Sequence, residues 1–258
     1  MGTAMIAAAI AIVALMLTTW IVSVMIKNAS IVDIVWGLGF VVVAWTVRLT
    51  VEGDTTRQNL IVVLVTLWGL RLALYLAKRN IGHGEDFRYV LMRRKHGARF
   101  PLVSLYTVFA FQGALMWVVS LPVQLGQADD GAPVGPLAVI GVFAWVVGFL
   151  FESVGDAQLA RFKKDPANAG KVMDRGLWSL TRHPNYFGDA VQWWGIGIAA
   201  AEAGTAAIGL IGPAVMTFLL TRVSGVPMLE HSMAKRRPGY EDYVRRTSAF
   251  VPRPPRRS

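Results

Sequence analysis

Long apolar runs separated by short polar connections make up most of this chain. Windows near the length of a bilayer span, about 20 residues, fall at Met5–Ile26, Ile31–Leu49, Leu60–Ala77, Leu102–Leu125, Pro136–Gly155, Tyr186–Ala201 and Ala206–Val226. The pattern predicts an all-α integral membrane protein, a seven-transmembrane-helix bundle whose loops are too short to bury a core of their own. Asp129-Asp130-Gly131-Ala132-Pro133 reads as a turn between the fourth and fifth spans. Val251-Pro252-Arg253-Pro254-Pro255 cannot continue a helix and reads as an extended end. With no internal repeat and no low-complexity linker, 1–258 reads as a single membrane domain, with early helices in 1–130 and later helices in 131–258.

Composition agrees: 54% of residues are hydrophobic and 16% charged. The net charge of +10 would suggest a nucleic-acid partner in a soluble protein. Here the cations follow the loops. Lys27 comes first, and 78–100 carries Lys78, Arg79, Arg88, Arg93, Arg94, Lys95 and Arg99. The stretch 156–185 carries Arg161, Lys163, Lys164, Lys171, Arg175 and Arg182, and the tail adds Lys235, Arg236, Arg237, Arg245, Arg246, Arg253, Arg256 and Arg257. Only Arg48, Arg57, Arg71 and Arg222 fall elsewhere. The positive-inside rule then places the N-terminus outside and the C-terminus in the cytoplasm, with no nucleic acid required as a partner. The first apolar run has no basic segment before it and reads as a retained span, not a cleaved signal. There is no cysteine, so thiolate metal sites and nucleophiles are excluded. His83, His96, His183 and His231 lack the spacing of a zinc site.

Against this background the polar groups inside or at the ends of spans stand out, because they are costly unless they face a partner or a wet cavity. Five are acids: Asp33, Glu152, Asp156, Asp189 and Glu230. Arg182-His183-Pro184-Asn185-Tyr186-Phe187-Gly188-Asp189 joins a basic loop to an apolar helix. Helical spacing puts Asn185, Asp189 and Gln192 on one face, Glu152 and Asp156 on another, and Arg71 with Tyr75 on a third. An internal ion-pair network, such as Arg71 or Arg222 with Asp156 or Asp189, is one reading. The other is a ligand cavity, in which Arg79, Lys163, Lys171, Arg182 and His183 suit a phosphate-rich molecule. Gly195-Ile196-Gly197 has no preceding strand and reads as helix packing.

Gly176-Leu177-Trp178, the Arg182–Asp189 stretch, Trp193-Trp194-Gly195, and the ending Glu230, Tyr240-Glu241-Asp242-Tyr243, Thr247, Phe250-Val251-Pro252 together resemble the steroid 5-alpha-reductase-like membrane family. Asp33-Ile34-Val35-Trp36-Gly37 and the stretch Arg71 to Tyr89 follow a related bacterial pattern more weakly. The resemblance implies a seven-helix reductase of a bacterial inner membrane. It would pass hydride from NADPH to the conjugated C=C bond of a lipid-like or steroid-like enone, with its cofactor site facing the cytoplasm. Carried over by position, the cofactor residues would be Arg71, Arg79, Asp156, Lys163, Lys171, Arg182, His183, Asn185, Tyr186, Asp189, Arg222 and Glu230. Asp33 and Tyr75 would serve catalysis, with Trp36 and Trp68 on the substrate side.

Three positions depart from the steroid enzymes: Asp33 stands for a glutamate, Trp68 for a carbonyl-binding tyrosine, and Glu230 for a late tyrosine. These leave the cofactor reading in place and open the substrate. Asp33, if surrounded by apolar residues, would stay protonated and polarise the carbonyl. Membrane methyltransferases of the isoprenylcysteine carboxyl and phospholipid type also carry Arg-His-Pro-x-Tyr and a late glutamate, but use S-adenosylmethionine. That cation offers no phosphate to Lys163 and Lys171. A non-enzymatic lipid-binding or transport protein is the third reading. The expected partners are a small lipid-like substrate and membrane lipid, with no obligate protein partner.

Overall fold

The computed structural model describes residues 1–53, 56–128, 133–223, 225–227, 229–230, 233 and 237–256. The turn expected at 129–132 lies outside the described residues, as do Asp54, His231, Lys235, Arg236 and Arg257. Among the described residues the chain is helical. The helices are α1 (Gly2–Met25), α2 (Ile31–Thr50), α3 (Thr56–Asn80), α4 (Phe87–His96), α5 (Phe100–Ser104), α6 (Phe111–Val119), α7 (Leu121–Ala128), α8 (Pro136–Lys164), α9 (Leu177–Leu180), α10 (Pro184–Ala200), α11 (Ile211–Phe218) and α12 (Tyr240–Arg246).

Among the described residues, six stretches are long and apolar enough to cross a membrane: α1, α2, α3, Phe87–Val119, α8 and Ala206–Val223. The helix read from sequence as a further span, α10, is 17 residues long and is not among them. At 1.5 Å per residue it reaches roughly 25 Å, short of a hydrocarbon core about 30 Å thick. By contrast, α8 runs for 29 residues, roughly 43 Å. Asp156 is therefore well inside a helix, and Lys163, expected in a loop, sits on its last turn.

The chain forms two compact units. The first is Met1–Ala138 with Ile196–Gly212, and the second is Val139–Gly195 with Pro213–Ser258. In the first, α2 and α3 meet at backbone contact. A Cβ on Gly37 would lie 2.6 Å from the Gly69 carbonyl oxygen, and one on Gly69 would lie 2.5 Å from that of Gly37. Small residues permit such approach where lipid supplies no hydrophobic drive between helices. Arg57, one of the few cations outside the basic connections, is fully buried. Its Nη1 donates to the Gly126 carbonyl at 2.6 Å, and Gln58 Nε2 donates to that of Gln127 at 2.8 Å. These are end carbonyls of α7 without helical partners, and a cation complements the negative end of the helix dipole.

In the second unit α8 and α10 pack antiparallel on three glycine contacts. Added Cβ atoms would come within 2.5 Å between Gly148 and the Gly188 oxygen and between Gly188 and the Gly148 oxygen, and within 2.6 Å between Gly195 and the Gly141 oxygen. Gly195 thus packs as expected. The end read as extended is non-helical, and the segment around it is also docked. Thr181 and Ser248 form a parallel bridge, Arg182 N–H donates to the Ser248 oxygen at 2.8 Å, and Arg253 N–H donates to the Leu180 oxygen at 2.9 Å. Proline stops a helix but leaves such carbonyls free to pair: the Phe250 oxygen accepts from Thr181 Oγ1 at 2.8 Å.

Gly37→Val is expected to destabilise the protein by about 1–3 kcal/mol, as overpacking of a close contact does. Gly2→Val, where an added Cβ meets nothing within 4 Å, is expected to leave it unchanged. Thermal melting in detergent distinguishes them, and equal midpoints would refute the backbone contact.

Candidate functional site

The Arg182–Asp189 motif begins in the strand-like segment after α9 and continues into α10. Pro184 opens the helix, where a missing N–H costs nothing. The turn before α9 rests on α8: Gly176 has φ +59°, Leu177 N–H donates to Gln158 Oε1 at 3.0 Å, and Trp178 Nε1 donates to the Gly155 oxygen at 3.0 Å.

Arg182 is buried and holds the C-terminal region. Its Nε donates to Glu230 Oε1 at 2.7 Å, and its Nη1 to the Thr247 and Val244 oxygens at 2.6 and 3.1 Å. His183 Nε2 lies 3.2 Å from the same Glu230 oxygen, and its ring stacks on Tyr186, 5.4 Å between centroids. Tyr243 closes the arrangement, its hydroxyl donating to the Trp178 oxygen at 2.5 Å. Burial pushes the Glu230 carboxyl up, but hydrogen bonds and charge from His183 and Arg182 outweigh it and hold the group below its ordinary value. Burial, reinforced by the Glu230 charge, pushes Tyr240 up to about 12. Sequence reading gave Arg182, His183 and Glu230 to a cofactor. The structure ties them to one another and to α12, because a buried guanidinium must be met by acceptors.

Further along α10 the glycine register sets the polar contacts. Asn185 Nδ2 donates to Asp156 Oδ1 at 3.2 Å, and Gln192 Nε2 donates to Glu152 Oε2 at 2.6 Å. Asp156 and Glu152 are buried, while Asn185, Tyr186 and Asp189 are half-buried. Lys163, Lys171 and Arg222 are exposed. Their sites suit contact with a phosphate from water.

A second polar group lies in the first unit. Asp33, on the first turn of α2, is half-buried and has polar partners. Arg88 Nη2 donates to its Oδ2 at 2.8 Å and the Tyr89 hydroxyl to its Oδ1 at 3.0 Å. Asp86 orients the cation: it caps α4 by accepting from Arg88 N–H at 2.9 Å and accepts from Arg88 Nε at 2.9 Å. Ser30 Oγ accepts from Asp86 N–H at 2.6 Å. Arg88 and Tyr89 were not singled out from sequence for this role. They lie 55 and 56 positions from Asp33, and no helical spacing links them. The one local signal is the Asp86 cap, which fixes where α4 starts.

Of the remaining candidates, Tyr75 sits between two arginines on α3, Arg71 at 5.3 Å and Arg79 at 6.0 Å from its ring. Trp36 and Trp68 both pack edge-on to Phe40, at 5.1 and 5.4 Å. Trp68 is fully buried and Trp36 half-buried.

The fold and these sites define an all-helical protein with membrane-spanning helices and polar groups embedded among them. The chain belongs to the DUF1295 family, described as proteins of unknown function, whose profile matches residues 19–247. The chain is 35% identical over 103 residues to "Probable O-methyltransferase ustE" of Ustilaginoidea virens, covering 39% of this chain and 34% of that protein. It is 23% identical over 261 positions to an uncharacterized protein of Schizosaccharomyces pombe, covering 91% and 75%. A 58-residue stretch is 40% identical to steroid 5-alpha-reductase DET2 of Arabidopsis thaliana, covering 22% of each. The chain thus spans about a third of the methyltransferase-named relative and about a fifth of the reductase. No solved structure matches.

Because the Glu230 carboxyl is held below its ordinary value of 4.5, its stabilising effect is present above that value and is lost as pH falls through the lowered one. Glu230→Gln is expected to lower the melting midpoint at pH 7 and to remove part of the acid dependence between about pH 5 and 3. An unchanged pH profile of melting would show that the ion pair does not stabilise the fold.

Proposed function

We propose that the protein is a membrane-embedded reductase that uses NADPH to saturate the conjugated C=C bond of a lipid-like enone. The observation carrying this reading is the Tyr89 hydroxyl, held 3.0 Å from Asp33 beside the Arg88 guanidinium. Reduction of an enone builds negative charge on the carbonyl oxygen; the Tyr89 proton, given to Asp33 in the free protein, would turn to that oxygen beside the fixed Arg88 cation when substrate binds. Methyl transfer from S-adenosylmethionine develops no such oxyanion. Asp33, paired with Arg88, is then the group that orients Tyr89, and Tyr89 takes over the polarising role first given to Asp33.

NADPH supplies the hydride when bound. Lys163, Lys171 and Arg222, exposed and cationic, would meet its phosphates, and the Asn185–Asp156 pair would offer its amide and carboxylate to the polar end. Arg182 and His183 would support this surface by fixing the start of α10. Lys163 and Lys171 belong to the basic connections that charge bias assigns to the cytoplasmic side.

A second reading, an S-adenosylmethionine-dependent methyltransferase, is favoured by the ustE resemblance, which extends over 39% of the chain. Thermal stability of the purified protein, titrated with each cofactor, separates the two, since a ligand stabilises the state it binds. NADPH is expected to raise the midpoint, and more than NADH. A shift with S-adenosylmethionine alone would overturn the reductase reading.

Once an enone substrate is found, Tyr89→Phe and Asp33→Asn are expected to lower kcat by about 100-fold or more, as loss of an oxyanion donor does. Their NADPH affinity should change by less than about two-fold, well under 1 kcal/mol. Equal loss of turnover and cofactor binding would remove the catalytic role.

A further inference from the structure

We infer that the groove at the C-terminal end of α1 is a headgroup site for an anionic glycerophospholipid. It is an open cavity of about 360 Å³, within the range of small-molecule sites. Ser23, Val24 and Lys27 line it from α1, and Arg93, Phe100 and Pro101 from α4 and α5. Trp20 Nε1 donates to the Pro101 oxygen at 2.9 Å and holds the two walls together.

The cations here are placed in advance. Glu85 accepts from Arg93 Nε and Nη2 at 3.0 and 2.8 Å, and the guanidinium lies 4.3 Å from the Phe100 ring centroid. Glu85 is itself fixed by Ala29 N–H at 2.7 Å. Lys27 has no ion-pair partner among the described residues. It occupies a left-handed position, φ 54°, just after α1, where Asn28 N–H reaches back to the Ser23 oxygen at 3.0 Å. Glycine adopts that conformation without strain; a lysine does so at a conformational cost. The groove therefore carries a strained, unpaired cation beside a braced one.

The surroundings select the ligand. Glu85 is paired with Arg93, residues 87–128 contain no acid, and Arg94, Lys95 and Arg99 are exposed, so the net local charge with Lys27 is positive and favours an anion. Ile21, Val24, Met25 and Ile26 are exposed and apolar on the adjoining face of α1. The groove thus lies where a membrane span ends, the level at which lipid phosphates sit. Free phosphate would satisfy the cations but leave Val24 and the exposed part of Pro101 uncovered; a glycerophospholipid covers both.

The full chain in neutral detergent would be titrated with phosphatidylglycerol, phosphatidylcholine or inorganic phosphate, following the melting midpoint. Only phosphatidylglycerol is expected to raise it. Lys27→Gly removes both charge and strain, so its lipid-free midpoint should equal or exceed that of the wild type. Its apparent affinity for phosphatidylglycerol should fall about five-fold, the effect of one interfacial cation. Lys95→Ala, exposed and outside the lining, should change that affinity by less than about two-fold, as diffuse screened charge does. The site is overturned if inorganic phosphate alone gives the full shift, if Lys27→Gly keeps wild-type affinity, or if Lys95→Ala loses as much as Lys27→Gly.

Discussion

Close approach of helix backbones at glycine is the constraint on which the polar chemistry of this protein depends. In lipid, apolar side chains gain little by leaving one neighbour for another, so helices associate where small residues let their backbones touch. Between α8 and α10 this happens at Gly148 with Gly188 and at Gly141 with Gly195. Those contacts fix an antiparallel register with no slack. The register in turn places Gln192 against Glu152 and Asn185 against Asp156. A shift by one residue would turn each carboxylate through about 100° away from its amide and leave it buried without that donor. In the first unit Gly37 and Gly69 set α2 on α3 in the same way.

The second theme is the division of the arginines. Arg57, Arg88 and Arg182 are held by acceptors that order the fold: helix-end carbonyls, Asp33 with Asp86, and Glu230 with the α12 backbone. A guanidinium suits this work because its donors diverge in a plane and can join several acceptors at once. Other lysines and arginines, among them Lys163, Lys171 and Arg222, keep their side chains exposed. Positive charge alone therefore gives no measure of phosphate binding here; burial separates the two groups.

Hydrophobic length and helix-end chemistry can be read directly from the chain. The ends of α2, within a residue of the expected Ile31 and Leu49, and Lys171 in the connection before α9 lie where pattern and residue type put them; α3 runs past its expected window at both ends, α10 opens two residues early at Pro184, and Lys163 belongs to α8. The family resemblance of the late motif was legible too, since it rests on consecutive residues. The short reach of α10, the buried fate of Arg57 and the docking of the C-terminal end were not.

Helical periodicity relates residues three or four apart, and so the sequence by itself determined the helices, their apolar faces and the polar residues that interrupt them. It carries no comparable rule for residues on different helices. Only the tertiary structure decided that Asp33 meets Arg88 and Tyr89, and that Arg182 meets Glu230 across 48 positions. The physical reason is that these partners are chosen by which helix faces the glycine contacts and the chain turns bring together, and that choice belongs to packing and not to local spacing.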